Sequence, residues 1–277
     1  MKKTIRLAAL AASVACLASC TGIKEIGHSE ATSYRMNQGV CFDGKYAVVA
    51  GQKGYFMTTA DGGKSWHEGK TGAAGCLSIE FLDRNTVLLS GTGGYTARIP
   101  AGGTQVTRTG NISGGCPYLS FSSQSDGWAG NLINLFATAD GARSWTAVPL
   151  PREVPIVAGI CSAGPGAGYV FSGDGGANWE KRARVFDPGT QGFVADYARF
   201  RQIVSLRFRG ERGVLACIGQ TPKGSVLAVY RSEDAGRNWV PAGQLRTRAA
   251  LASVYVSPDM ERVSTFNSDS TVSLFKF

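Results

Sequence analysis

The chain has 277 residues, with 29 Lys and Arg against 20 Asp and Glu, 37 Gly, 2 His, 43% hydrophobic and 18% charged residues. That balance excludes a disordered polymer and a bundle of membrane-spanning helices. The glycine excess and low charge argue against a doubly wound α/β enzyme and for many short strands and tight turns. Two histidines leave little material for a His-ligated metal or a Ser/His/Asp hydrolase.

Residues 1–19 read as a targeting segment: Lys2, Lys3 and Arg6 precede the apolar run Leu7–Val14, which leads into Leu17-Ala18-Ser19. The run is shorter than the roughly 20 residues a transmembrane helix needs. The tetrapeptide Leu17-Ala18-Ser19-Cys20 resembles the lipobox of bacterial lipoproteins. That resemblance implies cleavage before Cys20 and acylation of its sulfur, which would anchor the chain in a membrane. The other reading is an ordinary secretory signal. In such lipoproteins Thr21, which is not Asp, is compatible with sorting to an outer membrane. The expected location is the cell envelope, facing periplasm or surface. Residues 20–38 would form a linker, with Ser33–Met36 as a strand closing the ring described below, and 39–277 the main domain.

Five cysteines then remain: Cys41, Cys76, Cys116, Cys161 and Cys217. In an oxidising space they form two disulfides and one thiol, or else they are five small buried hydrophobes.

The chain repeats itself. Thr59-Ala60-Asp61-Gly62-Gly63-Lys64-Ser65-Trp66 recurs around Asp140 and Trp145, Asp174 and Trp179, and Asp234 and Trp239. A worn copy, Pro100–Val106, lies between the first two, giving intervals of 40, 39, 34 and 60 residues. Each full copy follows an alternating run such as Tyr55–Thr59, itself preceded by an apolar strand ending at glycine, as in Tyr46–Gly51 and Thr86–Gly91. A unit of about 40 residues with four antiparallel strands is one blade of a β-propeller. In the turn the Asp accepts backbone N–H groups, the glycines supply positive φ and the Trp packs between blades.

These turns resemble the Asp-box, or bacterial neuraminidase repeat, which the first copy matches fully and the later ones with one or two departures. The spacing also resembles the photosystem II assembly factor-like propellers, over most of residues 39–243. The expectation is therefore an all-β, six-bladed propeller, with seven blades the alternative. The blades run over about 39–72, 73–111, 112–151, 152–188, 189–243 and 244–277, the fifth lengthened by an insertion at Asp187–Phe200. The last blade lacks the motif but ends in the alternating strand Thr271–Phe277.

Sialidases share the turn, and their family marks its first substrate-binding arginine with an aromatic-Arg-Ile-Pro motif. Here Arg98-Ile99-Pro100 follows Ala97 and comes after the first repeat turn, so it reads as a strand end. His28 and His67 lack a nucleophilic partner and read as surface residues. No cysteines stand at CxxC spacing, so neither a metal site nor a cofactor is expected. Cys76 and Cys116 occupy matching places in consecutive repeats, five residues before Phe81 and Phe121, and are the best-placed inter-blade disulfide.

Positive charge concentrates between Lys181 and Arg212. Arg182, Arg184, Arg199, Arg201, Arg207 and Arg209 form a candidate binding patch, with Arg207 and Arg209 on the face opposite Leu206 and Phe208. The plain alternative is a solvated basic surface. The expected role is a non-enzymatic protein-binding or membrane-complex assembly scaffold, as the assembly-factor resemblance implies; the alternative is a carbohydrate-binding propeller or diverged sialidase. A membrane protein, an anionic glycan or lipid are the candidate partners, and nucleic acid is not expected of an exported lipoprotein.

Overall fold

The computed structural model describes residues 18–23, 36–150, 156–164, 167–172, 184–187, 192–196, 203–221, 224–246, 251–267 and 272–277. Their secondary structure is all β apart from one short 3-10 turn at Thr92–Gly94. The strands in chain order begin with β1 (Ala18–Ile23). A first sheet follows: β2 (Met36–Cys41), β3 (Ala47–Gly51), β4 (Tyr55–Thr59) and β5 (His67–Lys70). The second takes β6 (Cys76–Asp83), β7 (Thr86–Gly91), β8 (Tyr95–Pro100) and β9 (Thr107–Asn111), the third β10 (Tyr118–Phe121), β11 (Gly127–Gly130), β12 (Leu135–Thr138) and β13 (Thr146–Val148). The fourth holds β14 (Val157–Gly164), β15 (Ala167–Ser172), β16 (Arg184–Asp187) and β17 (Gly192–Asp196). The fifth holds β18 (Ile203–Arg209), β19 (Arg212–Thr221), β20 (Gly224–Ser232) and β21 (Val240–Arg246). The chain ends in β22 (Leu251–Val256), β23 (Arg262–Asn267) and β24 (Val272–Lys276), whose outer partner is β1.

Five sheets are thus runs of four consecutive antiparallel strands, and the sixth joins the two ends of the chain. The first strands of the sheets touch one another in a closed circuit, β2 to β6, β10, β14, β18, β22 and back to β2. The architecture is an all-β propeller, in which closure protects the sheets' inner edges. Because every sheet is an antiparallel meander, its 1–2 and 3–4 turns lie at one end of the ring, here the turn end. Its 2–3 turn and the link to the next sheet lie at the other, the connection end.

The apolar pattern explains the packing. In β3 both faces are buried, so Val48 and Ala50 pack toward the second sheet while Ala47 and Val49 pack toward the last. The innermost strands leave backbone groups with no strand beside them, and neighbouring side chains supply the partners. Gly39 N–H donates to Ser253 Oγ at 3.0 Å, Val256 N–H to Ser205 Oγ at 3.1 Å, and Ser162 N–H to Ser120 Oγ at 2.9 Å.

Two expectations about boundaries are corrected. The strand completing the last sheet is Ala18–Ile23; of the expected closing segment Ser33–Met36, residues 33–35 lie outside the described residues and Met36 opens the innermost strand of the first sheet. Gly192–Asp196, expected in an insertion of the fifth unit, is the outer strand of the fourth sheet, paired with Arg184–Asp187.

The repeated turns share one geometry. Asp61 Oδ1 accepts the Thr59 hydroxyl at 2.8 Å and Ser65 N–H at 3.0 Å, while Gly63 N–H donates to Thr59 Oγ1 at 3.0 Å. Asp140 binds Thr138 and Ser144 in the same way, and Asp234 binds Ser232 and Asn238. Trp66, Trp145 and Trp239 each pack into the cluster between their own sheet and the preceding one, Trp145 edge-on to Phe121 and Trp239 edge-on to Phe208. Asp174 and Trp179 lie outside the described residues; the strands flanking them are second and third in their sheet, whereas the other copies lie between third and fourth.

The residue after each Asp donates its N–H to the 1–2 turn of the same sheet: Gly62 to Lys45 O, Gly141 to Ser125 O, Ala235 to Glu211 O. Ala101 to Asn85 O and Phe277 to Glu261 O repeat that bond where the motif is worn or missing. The two positions after Asp take positive φ in all three turns, yet two of the six are alanines, Ala142 (φ 70°) and Ala235 (φ 57°).

A left-handed conformation costs an L-residue about 1 kcal/mol relative to glycine. Ala235→Gly should therefore stabilise the fold by about 0.5–1 kcal/mol in denaturant titration; a destabilised variant would contradict the strain argument. The hydrogen bonds also hold two carboxyls low, to about 2: the Ser144 hydroxyl and amide for Asp140, the Asn238 amide and side chain for Asp234. The unfolded chain therefore takes up these protons first, so this stabilisation is complete above the ordinary carboxylate pKa of about 4 and is lost as pH falls toward about 2. Melting temperature measured against pH should fall across that window, and less steeply in Asp140→Asn/Asp234→Asn.

Candidate functional site

The middle of the ring is closed by side chains from opposite sheets. Arg207 on β18 and Glu80 on β6 stand three places apart in the circuit of six first strands, and their side chains meet as a buried ion pair through Nη2 and Oε1. Arg207 is 9% exposed and Glu80 3%. The guanidinium also donates to Val256 O through Nε at 3.1 Å, to Phe121 O through Nη1 at 3.2 Å and to the Tyr255 hydroxyl through Nη2 at 3.1 Å. Tyr255 OH is 3.3 Å from Glu80 Oε1, accepts Phe81 N–H at 3.2 Å, and its ring lies 5.3 Å from the guanidinium carbon. One arginine thus ties together the second, third, fifth and last sheets.

Burial pushes the Glu80 carboxyl above its ordinary range, against the pull of Arg207 and the hydrogen bonds it receives. At Arg207 burial acts most strongly and lowers the guanidinium, but the charges of Glu80 and Tyr255 and the hydrogen bond to Glu80 together outweigh it, so the group is raised and stays protonated. Burial and the Glu80 charge together raise the Tyr255 phenol. Each guanidinium nitrogen and the Tyr255 hydroxyl has a hydrogen-bond partner in the cluster, so its chemistry is that of a clamp.

The expected basic patch is therefore divided. Arg207 is not on its surface: it points into the ring, because β18 has no solvent-facing side at that depth, and of the two patch side chains that are described only Arg209, at the turn end, is exposed. Arg184 lies in β16, and the side chains of Arg182, Arg184, Arg199 and Arg201 are outside the described residues. Cys20 lies in β1 opposite Leu274.

The proposed Cys76–Cys116 bridge is also corrected. Cys76 packs with Val40, Val48 and Phe56 between the first and second sheets, whereas Cys116 packs with Leu88 and Leu119 between the second and third. They sit on opposite faces of one sheet and are separate thiols, as are Cys41, Cys161 and Cys217. Burial pushes Cys41, Cys116 and Cys161 up to about 12 and Cys217 to about 11, which makes them poor nucleophiles at neutral pH.

Arg98 belongs to the turn end. Its Nη2 donates to Gly141 O at 2.8 Å, gripping the repeat turn of the neighbouring sheet. His67, at the start of β5, is exposed. Among the described residues no group of His, Cys, Asp or Glu is placed to hold a metal, and no helix is long and apolar enough to cross a membrane.

Sequence reasoning missed Glu80 and Tyr255. The signal for Glu80 was a carboxylate in the middle of the apolar strand Cys76–Asp83, matched by a lone arginine between Leu206 and Phe208. Two opposite charges in the innermost strands are tolerated only if they meet.

Removing one partner of a buried ion pair leaves the other charge uncompensated, at a cost of about 3–5 kcal/mol. Glu80→Leu should destabilise by that order, whereas Glu80→Leu/Arg207→Met should lose less than the single variant, as urea titration of the set would show. Additive losses would mean that the two side chains act independently.

No family model matches the chain, and no curated protein matches it. Among solved structures, the chain is similar to one described as YCF48 bound to D1 peptide, at 13% identity and a TM-score of 0.55, covering 88% of this chain and 94% of that one. It is also similar to the WD40 β-propeller domain of Doa1, at 11% identity and a TM-score of 0.59, covering 92% and 96%. At such identities the likeness shows the fold, and that fold is a β-propeller.

Proposed function

We propose that this chain is a six-bladed, Asp-box-type propeller held in a bacterial cell envelope by lipid on Cys20, where it binds a membrane protein as an assembly scaffold without catalysing a reaction. The observation that carries the reading is the fold-wide likeness to YCF48, a propeller solved with a peptide of another protein bound. Three features of the chain support it. The interior is occupied by the Arg207 clamp, leaving the ends and flanks of the ring for contact. Arg98 is engaged with backbone carbonyls, so the sialidase-like alternative loses its candidate substrate-binding arginine. The lipobox-like Leu17-Ala18-Ser19-Cys20 supplies the anchor.

In this reading each four-stranded sheet is a blade, and the N-terminal strand closes the last one from outside. Cleavage before Cys20 removes Ala18 and Ser19, which face Lys276 and Phe275, and leaves Cys20 opposite Leu274, so the lipid is attached at the outer edge of that blade.

The test is affinity purification of the tagged full-length protein from detergent-solubilised envelope, beside Cys20→Ser, with retained proteins identified by mass spectrometry and acylation read on the N-terminal peptide. We expect wild type to retain a membrane protein above a tag-only control and to carry the acyl mass, and Cys20→Ser to move to the soluble fraction. Wild type retaining no protein would end the scaffold reading; an unmodified Cys20 would end the anchoring part.

A further inference from the structure

The first three sheets, whose residues are all described from Met36 to Val148, have an unequal distribution of charge between their two ends. Asp43, Asp61, Asp83, Asp126 and Asp140 all stand at the turn end, in or beside the 1–2 and 3–4 turns. Glu80 is buried at the axis, and Glu68, half-buried on β5, is the remaining carboxylate. The turn end also holds Lys45, Lys64, Arg84 and Arg143, so its charges are mixed. At the connection end the exposed charges are cations: Lys53 in the β3–β4 turn, Lys70 at the end of β5, and Arg108, whose guanidinium reaches upward along β9.

Two of these cations reach equivalent tyrosines from different positions: Lys70 stands directly across from Tyr55, whereas Arg108 stands across from Ala97 and extends along β9. Lys70 Nζ lies 4.8 Å from the centre of the Tyr55 ring and the Arg108 guanidinium carbon 5.4 Å from that of Tyr95, each tyrosine being the first residue of the third strand of its sheet. Stacking on an aromatic face restricts a long side chain that would otherwise be free. On the next sheet round, the β11–β12 turn lifts Leu132 and Ile133 into solvent at 59% and 71% exposure; among the described residues only Val240 is another large hydrophobic so exposed.

This edge is rigidly built. Thr71 N–H donates to Gly54 O at 2.8 Å and Ile112 N–H to Gly94 O at 2.7 Å, docking each 2–3 turn on the link leaving its sheet. A Cβ on Gly94 would lie 1.8 Å from Ile112 O, so this approach requires glycine. Asn131 Oδ1 accepts from Ile133 N–H at 3.1 Å and Asn134 N–H at 2.9 Å, which fixes the aliphatic tip, and Asn131 Nδ2 reaches back to Gly115 O at 3.4 Å.

We propose that the connection end of the first three sheets is the docking surface for an acidic segment of a partner protein, one in which carboxylates stand beside aliphatic side chains. The carboxylates pair with Lys53, Lys70 and Arg108, and the aliphatic groups cover Leu132 and Ile133. Charge complementarity selects the sign of the partner, because an incoming carboxylate meets no exposed acidic side chain there apart from half-buried Glu68. The two bare aliphatics favour an occupant with aliphatic groups over a purely polar ligand such as a glycan, and cations fixed over tyrosine rings suit discrete carboxylates better than a fluid layer of headgroups. This inference rests on the protein-binding reading above and names the surface and partner chemistry for it.

The test titrates the full-length protein in detergent into a fluorescently labelled synthetic peptide alternating Glu and Leu, read by anisotropy, beside peptides alternating Lys with Leu and Glu with Ser. Lys53→Glu/Lys70→Glu/Arg108→Glu and Leu132→Ser/Ile133→Ser change exposed side chains only and should keep the wild-type melting temperature. We expect each variant to bind the Glu-Leu peptide about tenfold or more weakly, both control peptides to bind weakly, and added salt to weaken the wild-type complex. Equal binding by wild type and variants, no binding by wild type, or equal binding of the Lys-Leu peptide would overturn the proposal. So would variant-sensitive binding to phosphatidylglycerol vesicles without peptide binding, which would make the surface a membrane contact. The same variants in the envelope purification separate the two readings: a membrane protein retained equally by wild type and variants removes this surface while the scaffold stands.

Discussion

Arg207 is the constraint on which the ring depends. A propeller packs its sheets side by side, and nothing in that packing alone says how the inner strands meet around the axis. Here one guanidinium spans the axis to Glu80 and takes carbonyls from β10 and β22 on the way. Five N–H donors in a rigid fork satisfy several sheets at once, which neither lysine nor an aliphatic plug can do. Burying two charges is costly, so the gain lies in registry: the network is satisfied in one arrangement of the sheets and broken in others.

At the periphery the same problem is solved repeatedly by short-range means. The turn after the third strand folds back on the 1–2 turn through one backbone hydrogen bond, and five sheets make it whether or not they keep the Asp and Trp. The motif reinforces a contact that the meander already makes, which explains how the copy at Pro100–Val106 wore away without loss of the sheet. Serine hydroxyls on the innermost strands perform a parallel service for backbone groups that face the axis.

These two devices leave the ends of the ring different from one another. The turn end is crowded with aspartates because the turns need them as hydrogen-bond acceptors. The connection end has no such need, and its exposed charges in the first three sheets are basic. A structural requirement at one end thus produces an electrostatic contrast between the two ends, and the tyrosine-stacked cations and aliphatic tip give the connection end a defined shape.

Much of this was legible in the residues. The recurrence of Asp-x-Gly-x-x-Trp and the strands Tyr55–Thr59 and Thr86–Gly91 follow from local chemistry, since turns and alternation act over a few residues. What lay beyond the sequence was every question about which face looks where. Period-2 alternation puts Arg207 and Arg209 on one side of β18, but only ring closure sends the first to the axis and the second to solvent. Matching places in the repeat put Cys76 and Cys116 at equivalent depths, yet equivalent depth in a ring means different interfaces. The pairing of Ala18–Ile23 with β24 likewise joins residues from the two ends of the chain. The sequence by itself determined the unit and its turns, because these are settled by neighbours in the chain; the tertiary structure decided the axis, the closure and the exposed rim, because these are settled by residues far apart in the chain.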